Sequence, residues 1–381
     1  MRVLSVTAQK PCSTGSGVYL TEVVRSLAKM GVSQAVVAGV TREDRVDMPE
    51  GVTVYPVYFS SEKLPYPVVG MSDEMPYTST RYRDMTEEMA GQFKAAFLEV
   101  LDEAIEKENP DIILCHHLYY LTALIRAHYP AKKVYGFCHN TDLRQMESIS
   151  FEKNFIRQEI PKLDRIFALQ EAQKEKIKKI YPVSEKQMTV IGTGYNSEVF
   201  KKTGIKSSRK DGKIRMIFAG KITQKKGVKS LLRALNLLDY EKEKIQLILA
   251  GGAGNLVEYE EIKELADGCR YPVVFAGCVT QSRLAELYND CDIFVLPSMY
   301  EGLPLTVIES LACGDRVVMT KLEGIAEWLA DMVPDADIRY VLPPGMKGTD
   351  EPLEEELPEF ESRLAEALRE AIEEKDTKEC D

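Results

Sequence analysis

A chain of 381 residues with 44% hydrophobic content is long enough for two domains of ordinary size, each with its own core. Its formal charge of −11 is concentrated in residues 350–381, which hold 14 of the 60 acidic and 4 of the 49 basic side chains, leaving 46 and 45 in the body. A near-neutral body excludes the basic bias of a nucleic-acid binder, and eight cysteines without a CxxC pair exclude a disulfide or zinc framework.

In chain order, Met1 leads directly into RVLSVTA, which reads as a first strand rather than a signal peptide. No apolar run approaches the roughly 20 residues that cross a bilayer. A cytoplasmic protein with reduced thiols is therefore expected. The next stretch, CSTGSGVYL (12–20), carries Gly15 and Gly17 ahead of a helical pattern over 18–30. Those glycines permit close backbone approach, and a helix start offers N–H groups to an anion. The spacing is not GxGxxG, so no dinucleotide site is read from it.

A strand over 34–40 precedes an unusual segment, residues 55–83, rich in Tyr and Pro. So long a connection inside a compact domain is commonly functional, and it is the expected substrate-shaping loop. A helix over 85–107 follows, then a strand (111–115) ending in His116 and His117. The strand over 133–138 ends in CHNTDLR. There His139 can donate to or accept from a hydroxyl, and Asp142 is expected to cap the next helix. Further strands are read at 165–169 and 188–192. Between them the KEKIKK run (174–179) reads as a solvated helix face, with contact to anionic lipid as the alternative.

The polar stretch 201–213 reads as the boundary between domains. Beyond it, strands at 214–220, 245–251, 272–277, 292–297 and 316–320 alternate with helices at 228–238, 257–267 and 281–289. Near-continuous apolar strands separated by helices imply parallel sheets covered on both faces, hence two doubly wound α/β domains. The expected limits are 1–200 for the first domain, 201–212 for the linker, 213–349 for the second domain and 350–381 for an acidic amphipathic helix packed back on the body.

Polar groups at the carboxyl ends of the second set of strands are the remaining candidates. GKITQKKG places Lys221 and Lys226 around a turn, where cations suit a diphosphate leaving group. AGGAGN (250–255) is a second Gly-rich turn. In SMYEGLPLTVIESLACGDRVVMT (298–320), Pro304 suits a first helical turn and Gly314 a stop. Leu305, Glu309 and Ala312 share one face of that helix, and a carboxylate there needs a partner. Glu301 and Glu309 are eight residues apart, roughly 12 Å along an ideal helix. Glycosidase carboxyl pairs lie closer, about 5–9.5 Å apart, so these two suit the holding of an elongated ligand. The DxD triplets at 290–292 and 335–337 read as a helix end and a turn, and no metal is expected.

Taken together, PSMYEGLPLTVIESLACG resembles the nucleotide-binding signature of the retaining GT-B glycosyltransferases of family 4, a Glu, seven residues and a second Glu. STGSGVYLTEVVRSLAKMG, CHNTD, GKITQKKG and IGTGYNSEVF resemble that family's other motifs in the same order. The resemblance implies two Rossmann-like domains facing across a cleft. The expected reaction is metal-independent transfer of a hexose, without a cofactor, from a nucleotide sugar, most simply a UDP-sugar. It also implies roles. Glu309 would hold the ribose hydroxyls and Glu301 the donor sugar. Lys221 and Lys226 would bind the diphosphate with N–H groups at Gly15, Gly17 and the turn Gly302, Leu303, Leu305 and Thr306. His139 would lie near the reacting carbon, making His139, Glu301 and Lys226 the catalytic set. The acceptor should then lie on the first domain, where His116, His117, Tyr77, Arg81 and Arg144 are the candidate residues to meet it. The sequence departs from the family at Lys221, where Arg is usual, and at Glu323, which stands in place of a glycine. The alternatives are a non-catalytic nucleotide-sugar-binding subunit or another reaction on the same fold, such as epimerisation.

Overall fold

The computed structural model describes every residue except 12, 74, 210, 349–350 and 379–381, with the backbone alone at 207 and 374–378. The expected limit between 349 and 350 therefore lies outside the described residues. The chain forms two compact units, Met1–Thr193 and Gly194–Asp381.

The first unit is built on β1 (Arg2–Thr7), β2 (Ser33–Val40), β3 (Thr53–Tyr58), two short strands β4 (Val69–Gly70) and β5 (Thr80–Arg81), then β6 (Ile112–His116), β7 (Lys133–Phe137), β8 (Arg165–Ala168) and β9 (Met188–Val190). Seven of these pair in the order β3-β2-β1-β6-β7-β8-β9, all parallel. Leu4 faces Ala35 on one side and Ile113 on the other, so the central strand is apolar along its length because helices cover both of its faces. The strand pattern marks that burial, which is why most of these elements were legible. β3 was not: its Pro56 lowers the strand signal, and the structure resolves the conflict by placing it at the sheet edge, where a missing N–H costs little.

The segment 55–83 is more wall than loop. It opens as β3, and Phe59, Leu64, Tyr66, Val68, Val69, Met71 and Tyr82 are all buried in the main core of this unit. Tyr82 meets Tyr119 edge-on with ring centroids 4.9 Å apart. Most of the aromatic residues that argued against disorder are packed into this core.

The second unit carries β10 (Ile214–Ala219), β11 (Ile245–Ala250), β12 (Val273–Gly277), β13 (Ile293–Leu296), β14 (Arg316–Thr320) and β15 (Ile338–Val341). They pair in parallel in the order β12-β11-β10-β13-β14-β15. Residues 201–212 are not a bare linker. They hold a one-turn helix, Ile205–Ser208, fastened to the second unit by Lys206 Nζ on Asp315 Oδ1 (2.5 Å) and by Thr203 N on Asn289 Oδ1 (2.8 Å). The helix Leu357–Lys378 buries Leu357, Phe360, Leu364, Leu368 and Ile372 against the helix Val228–Asn236 and the β14–β15 edge. At about 1.5–3 kcal/mol for each large apolar side chain, that stripe anchors the acidic tail.

Candidate functional site

In each unit the strand order reverses once, between β1 and β6 in the first and between β10 and β13 in the second. Ligands of doubly wound sheets bind outside the carboxyl ends of the strands at such reversals. Most of the residues singled out in the sequence lie there.

In the second unit, the loop after β10 is shaped by Thr223, whose hydroxyl accepts from Lys226 N (3.3 Å) to start the 3-10 turn Gln224–Lys226. Gly227 ends it at φ +74°, and a Cβ there would stand 2.0 Å from the carbonyl oxygen of Pro297, so only glycine lets this loop close on the end of β13. Met299 N donates to Lys225 O (2.9 Å) across the same join. The result brings Lys226 Nζ to 2.7 Å from Glu301 Oε1. The pair is well shielded, with 24% and 12% of the side chains exposed, so water screens it less than a surface pair.

The AGGAGN turn lies against the same loop. A Cβ at Gly251 would fall 1.8 Å from Gly220 O, and Ile222 N donates to Gly252 O (3.0 Å). Its glycines therefore have a packing reason to be there. Lys221, Gly302, Leu303, Leu305 and Thr306 are half-buried around these turns.

The helix after Glu301 runs Leu305–Ala312, with Pro304 one position earlier than expected, as its N-cap, and Gly314 at φ +83° just past its end. Its buried positions are Val307, Glu309 and Ser310, whereas Leu305 and Ala312 are only half-buried. The apolar stripe is thus rotated from the one expected, and Glu309 lies beside it with only 6% exposure. Its charge is felt nearby: burial first, then Glu309, pushes the Tyr288 phenol well above its ordinary range. Glu323, the departure from the expected pattern, is exposed in the loop after β14. Asp292 is held by Arg209 (2.5 Å) and Asp337 by Arg316 and Arg339, so these members of the two DxD triplets serve the fold. Among the described residues no three His, Cys, Asp or Glu side chains gather to hold a metal ion.

In the first unit the helix over Gly15–Lys29 starts three residues before the expected position because Thr14 caps it, accepting from Gly17 N (3.1 Å). That internal bond takes the Gly17 N–H, which was expected to serve an anion. Three of the chain's four histidines meet at the ends of β6 and β7. His116 Nδ1 lies 3.1 Å from His139 Nε2, and the His117 ring centre is 4.8 Å from that of His139. Tyr19, which the sequence reading passed over, stands edge-on to His139 at 5.4 Å. Only its position one turn after the Gly loop could have signalled it.

Asp142 does not cap the helix Thr141–Ser148, whose N-cap is Asn140. Its Oδ2 instead accepts from Leu118 N (2.7 Å) and His139 N (3.3 Å), tying the β6 and β7 loops together. Two non-glycine residues in these loops, His117 and Asn140, sit at φ +76° and +71°. Such strain persists only where surroundings enforce it, and it clusters at functional sites. Burial, and next the neighbouring His117, lowers His116 to about 3. Burial also lowers His117, and it lowers His139 well below the usual histidine range, with the other two rings adding to the effect. At neutral pH all three rings are neutral.

The expected acceptor residues are spread more widely. His116 and His117 are buried, each 4% exposed. The Tyr77 ring lies beneath Lys10 Nζ (5.0 Å), which pairs with Asp44 (2.7 Å) beyond the end of β2. Arg81 is exposed and paired with Asp84 (2.5 Å), and Arg144 approaches Asp73 (3.5 Å).

Residues 13–199 match the family model described as glycosyltransferase family 4, and residues 200–376 match that of glycosyl transferases group 1. An uncharacterised glycosyltransferase of Methanocaldococcus jannaschii is 29% identical over 172 residues, 43% of this chain and 44% of that protein, so the match spans less than half of that relative. A D-inositol 3-phosphate glycosyltransferase of Catenulispora acidiphila is 25% identical over 347 residues, 83% of this chain and 76% of that protein. Among solved structures, Anabaena HepE in complex with UDP and glucose superposes with a TM-score of 0.63 at 15% identity, covering 98% of this chain and 95% of that one.

Proposed function

The chain belongs to the family 4, group 1 glycosyltransferases of GT-B fold, and from that premise we propose that it moves a hexose from a UDP-sugar to an acceptor hydroxyl, with retention and without a metal or cofactor. The observation that carries this reading is the Lys226–Glu301 pair at the β10/β13 reversal, with Glu309 buried on the helix that follows. A nucleoside diphosphate leaving group carries charge that must be neutralised as the glycosidic bond breaks. Lys226 and Lys221 supply that charge in a shielded setting, where it acts more strongly than in water. Glu301, released from Lys226 by the diphosphate, accepts hydroxyl hydrogens of the donor sugar, while Glu309 accepts those of the ribose. The choice of UDP follows the ligand named for HepE.

The first unit supplies neutral, hydrogen-bonding groups, led by His139, and no nucleophile is required of it: catalysis rests on positioning and leaving-group stabilisation. No helix among the described residues is long and apolar enough to cross a membrane. The reading places the protein in the cytoplasm, and contact with a membrane surface enters through the acceptor, if that is a lipid. The test is thermal unfolding against a panel of UDP-, GDP- and ADP-sugars, with and without EDTA, since binding to the folded state raises stability by mass action. A shift with UDP-sugars that EDTA leaves unchanged is expected. No shift with any donor would overturn the donor site.

A further inference from the structure

We propose that His116 is a positioning residue that fixes the ring tautomer of His139, so that His139 presents an Nδ1–H donor to the sugar. His116 Nδ1 and His139 Nε2 lie 3.1 Å apart, within hydrogen-bond distance. Two neutral imidazoles sharing such a bond have two arrangements, and what the other ring nitrogen meets decides between them. The remaining nitrogen of His116, Nε2, is buried and has no hydrogen-bond partner among the described residues. If the proton of His116 sat there, a buried N–H would be orphaned, which folded proteins avoid more strictly than an orphaned acceptor. The proton therefore sits on Nδ1 of His116 and is donated to Nε2 of His139. With its Nε2 accepting, His139 carries its own proton on Nδ1. Free imidazole side chains favour the opposite form, so this is a state the fold imposes.

The surroundings hold that arrangement. His116 stacks on Phe137, with centroids 4.8 Å apart and planes 13° from parallel, and lies nearly parallel to His139 at 15°. The backbone beside both rings is bound to a single carboxylate, Asp142, through Leu118 N and His139 N. His139 itself is half-buried whereas His116 is only 4% exposed, so His139 is the ring that meets a ligand and His116 acts through it. The consequence for chemistry is specific. His139 donates to an oxygen of the bound hexose and cannot take a proton at Nε2, so it orients and polarises rather than serving as a general base. What the ring meets rests on the glycosyltransferase reading, whereas the tautomer does not.

The experiment has two arms. Long-range 1H–15N correlation spectra of the full chain labelled at histidine read the tautomer directly, without any substrate. The expected pattern for His139 at pH 7 is protonation at Nδ1. Protonation at Nε2 overturns the proposal whatever the enzyme does. The second arm compares His116→Asn, whose side-chain amide can donate from nearly the position of Nδ1, with His116→Phe, which fills the ring volume but cannot donate. His116→Phe should move His139 to the Nε2 form and lower kcat about ten-fold with the donor KM nearly unchanged, the loss of one neutral hydrogen bond. His116→Asn should restore the Nδ1 form and bring kcat within a few-fold of the parent. Equal kcat in the two variants, both folded by thermal unfolding, would leave His116 a packing residue only and overturn its positioning role. Absence of turnover in every form, with the tautomer as expected, would count against the transferase reading and not against this one.

Discussion

The two sheet reversals are built alike and furnished oppositely. Around β10 and β13 the strand ends carry Lys226, Lys221, Glu301 and Glu309, charged groups held by glycine-dependent turns. Around β6 and β7 they carry three neutral histidines, with Tyr19 against the His139 ring and one buried carboxylate, Asp142, tying the loops together. The proposed function gives this contrast a reason. On the proposed function, a diphosphate would need fixed positive charge, which the lysines after β10 would supply from a loop. A sugar hydroxyl needs an oriented hydrogen bond, and a charged ring would only add the cost of desolvating it.

If that division is right, the largest effect should come from the charged side. Lys226→Ala is expected to lower kcat/KM about 1,000-fold, about 4 kcal/mol of transition-state stabilisation, by removing the cation from the leaving group and leaving Glu301 without its partner. Steady-state kinetics with a donor found by thermal shift checks it, and a change below ten-fold would remove Lys226 from the catalytic set. Next comes the scaffold of the same side. Gly227→Ala should cost about 3 kcal/mol, because the new Cβ strikes Pro297 O and the backbone sits at φ +74°. Denaturant unfolding would show it, with a parallel loss of donor binding.

On the neutral side, Asp142→Ala should cost about 2 kcal/mol by leaving the backbone N–H groups of Leu118, His139 and Leu143 without this acceptor. The donor-induced stabilisation should persist in that variant, and its loss would break the division of labour. The same cluster also sets a pH dependence. The folded histidines titrate below their unfolded value of 6.5, so the unfolded chain binds more protons in acid. The contribution of His116 is complete above pH 6.5 and is lost as pH drops toward about 3, and His117 and His139 act in the same direction. Melting curves of the parent and His116→Asn between pH 7 and 5 measure it, with a shallower slope expected in the variant.

How much of this was legible depends on the range of the interaction concerned. Parallel strands buried on both faces announce themselves as apolar runs, so both sheets could be read, and only β3 with its Pro56 and short edge elements such as β15 escaped. The candidate residues were legible as types at strand ends, because in this fold the carboxyl end of a strand is a position that sequence order alone specifies. Their partners were not. The Lys226–Glu301 contact spans 75 residues and the Asp142–Leu118 bond 24, and neither leaves a local pattern. Local rules gave Asp142 a cap because a cap needs only its own helix.

The sequence by itself determined the two parallel sheets, the order of their strand-end loops and the chemical types those loops carry, since periodicity and turn chemistry act over a few residues. Only the tertiary structure decided which of those groups pair, which are buried and which nitrogen of a histidine is already taken. Those are matters of close approach between distant segments, where an ångström separates a hydrogen bond from none.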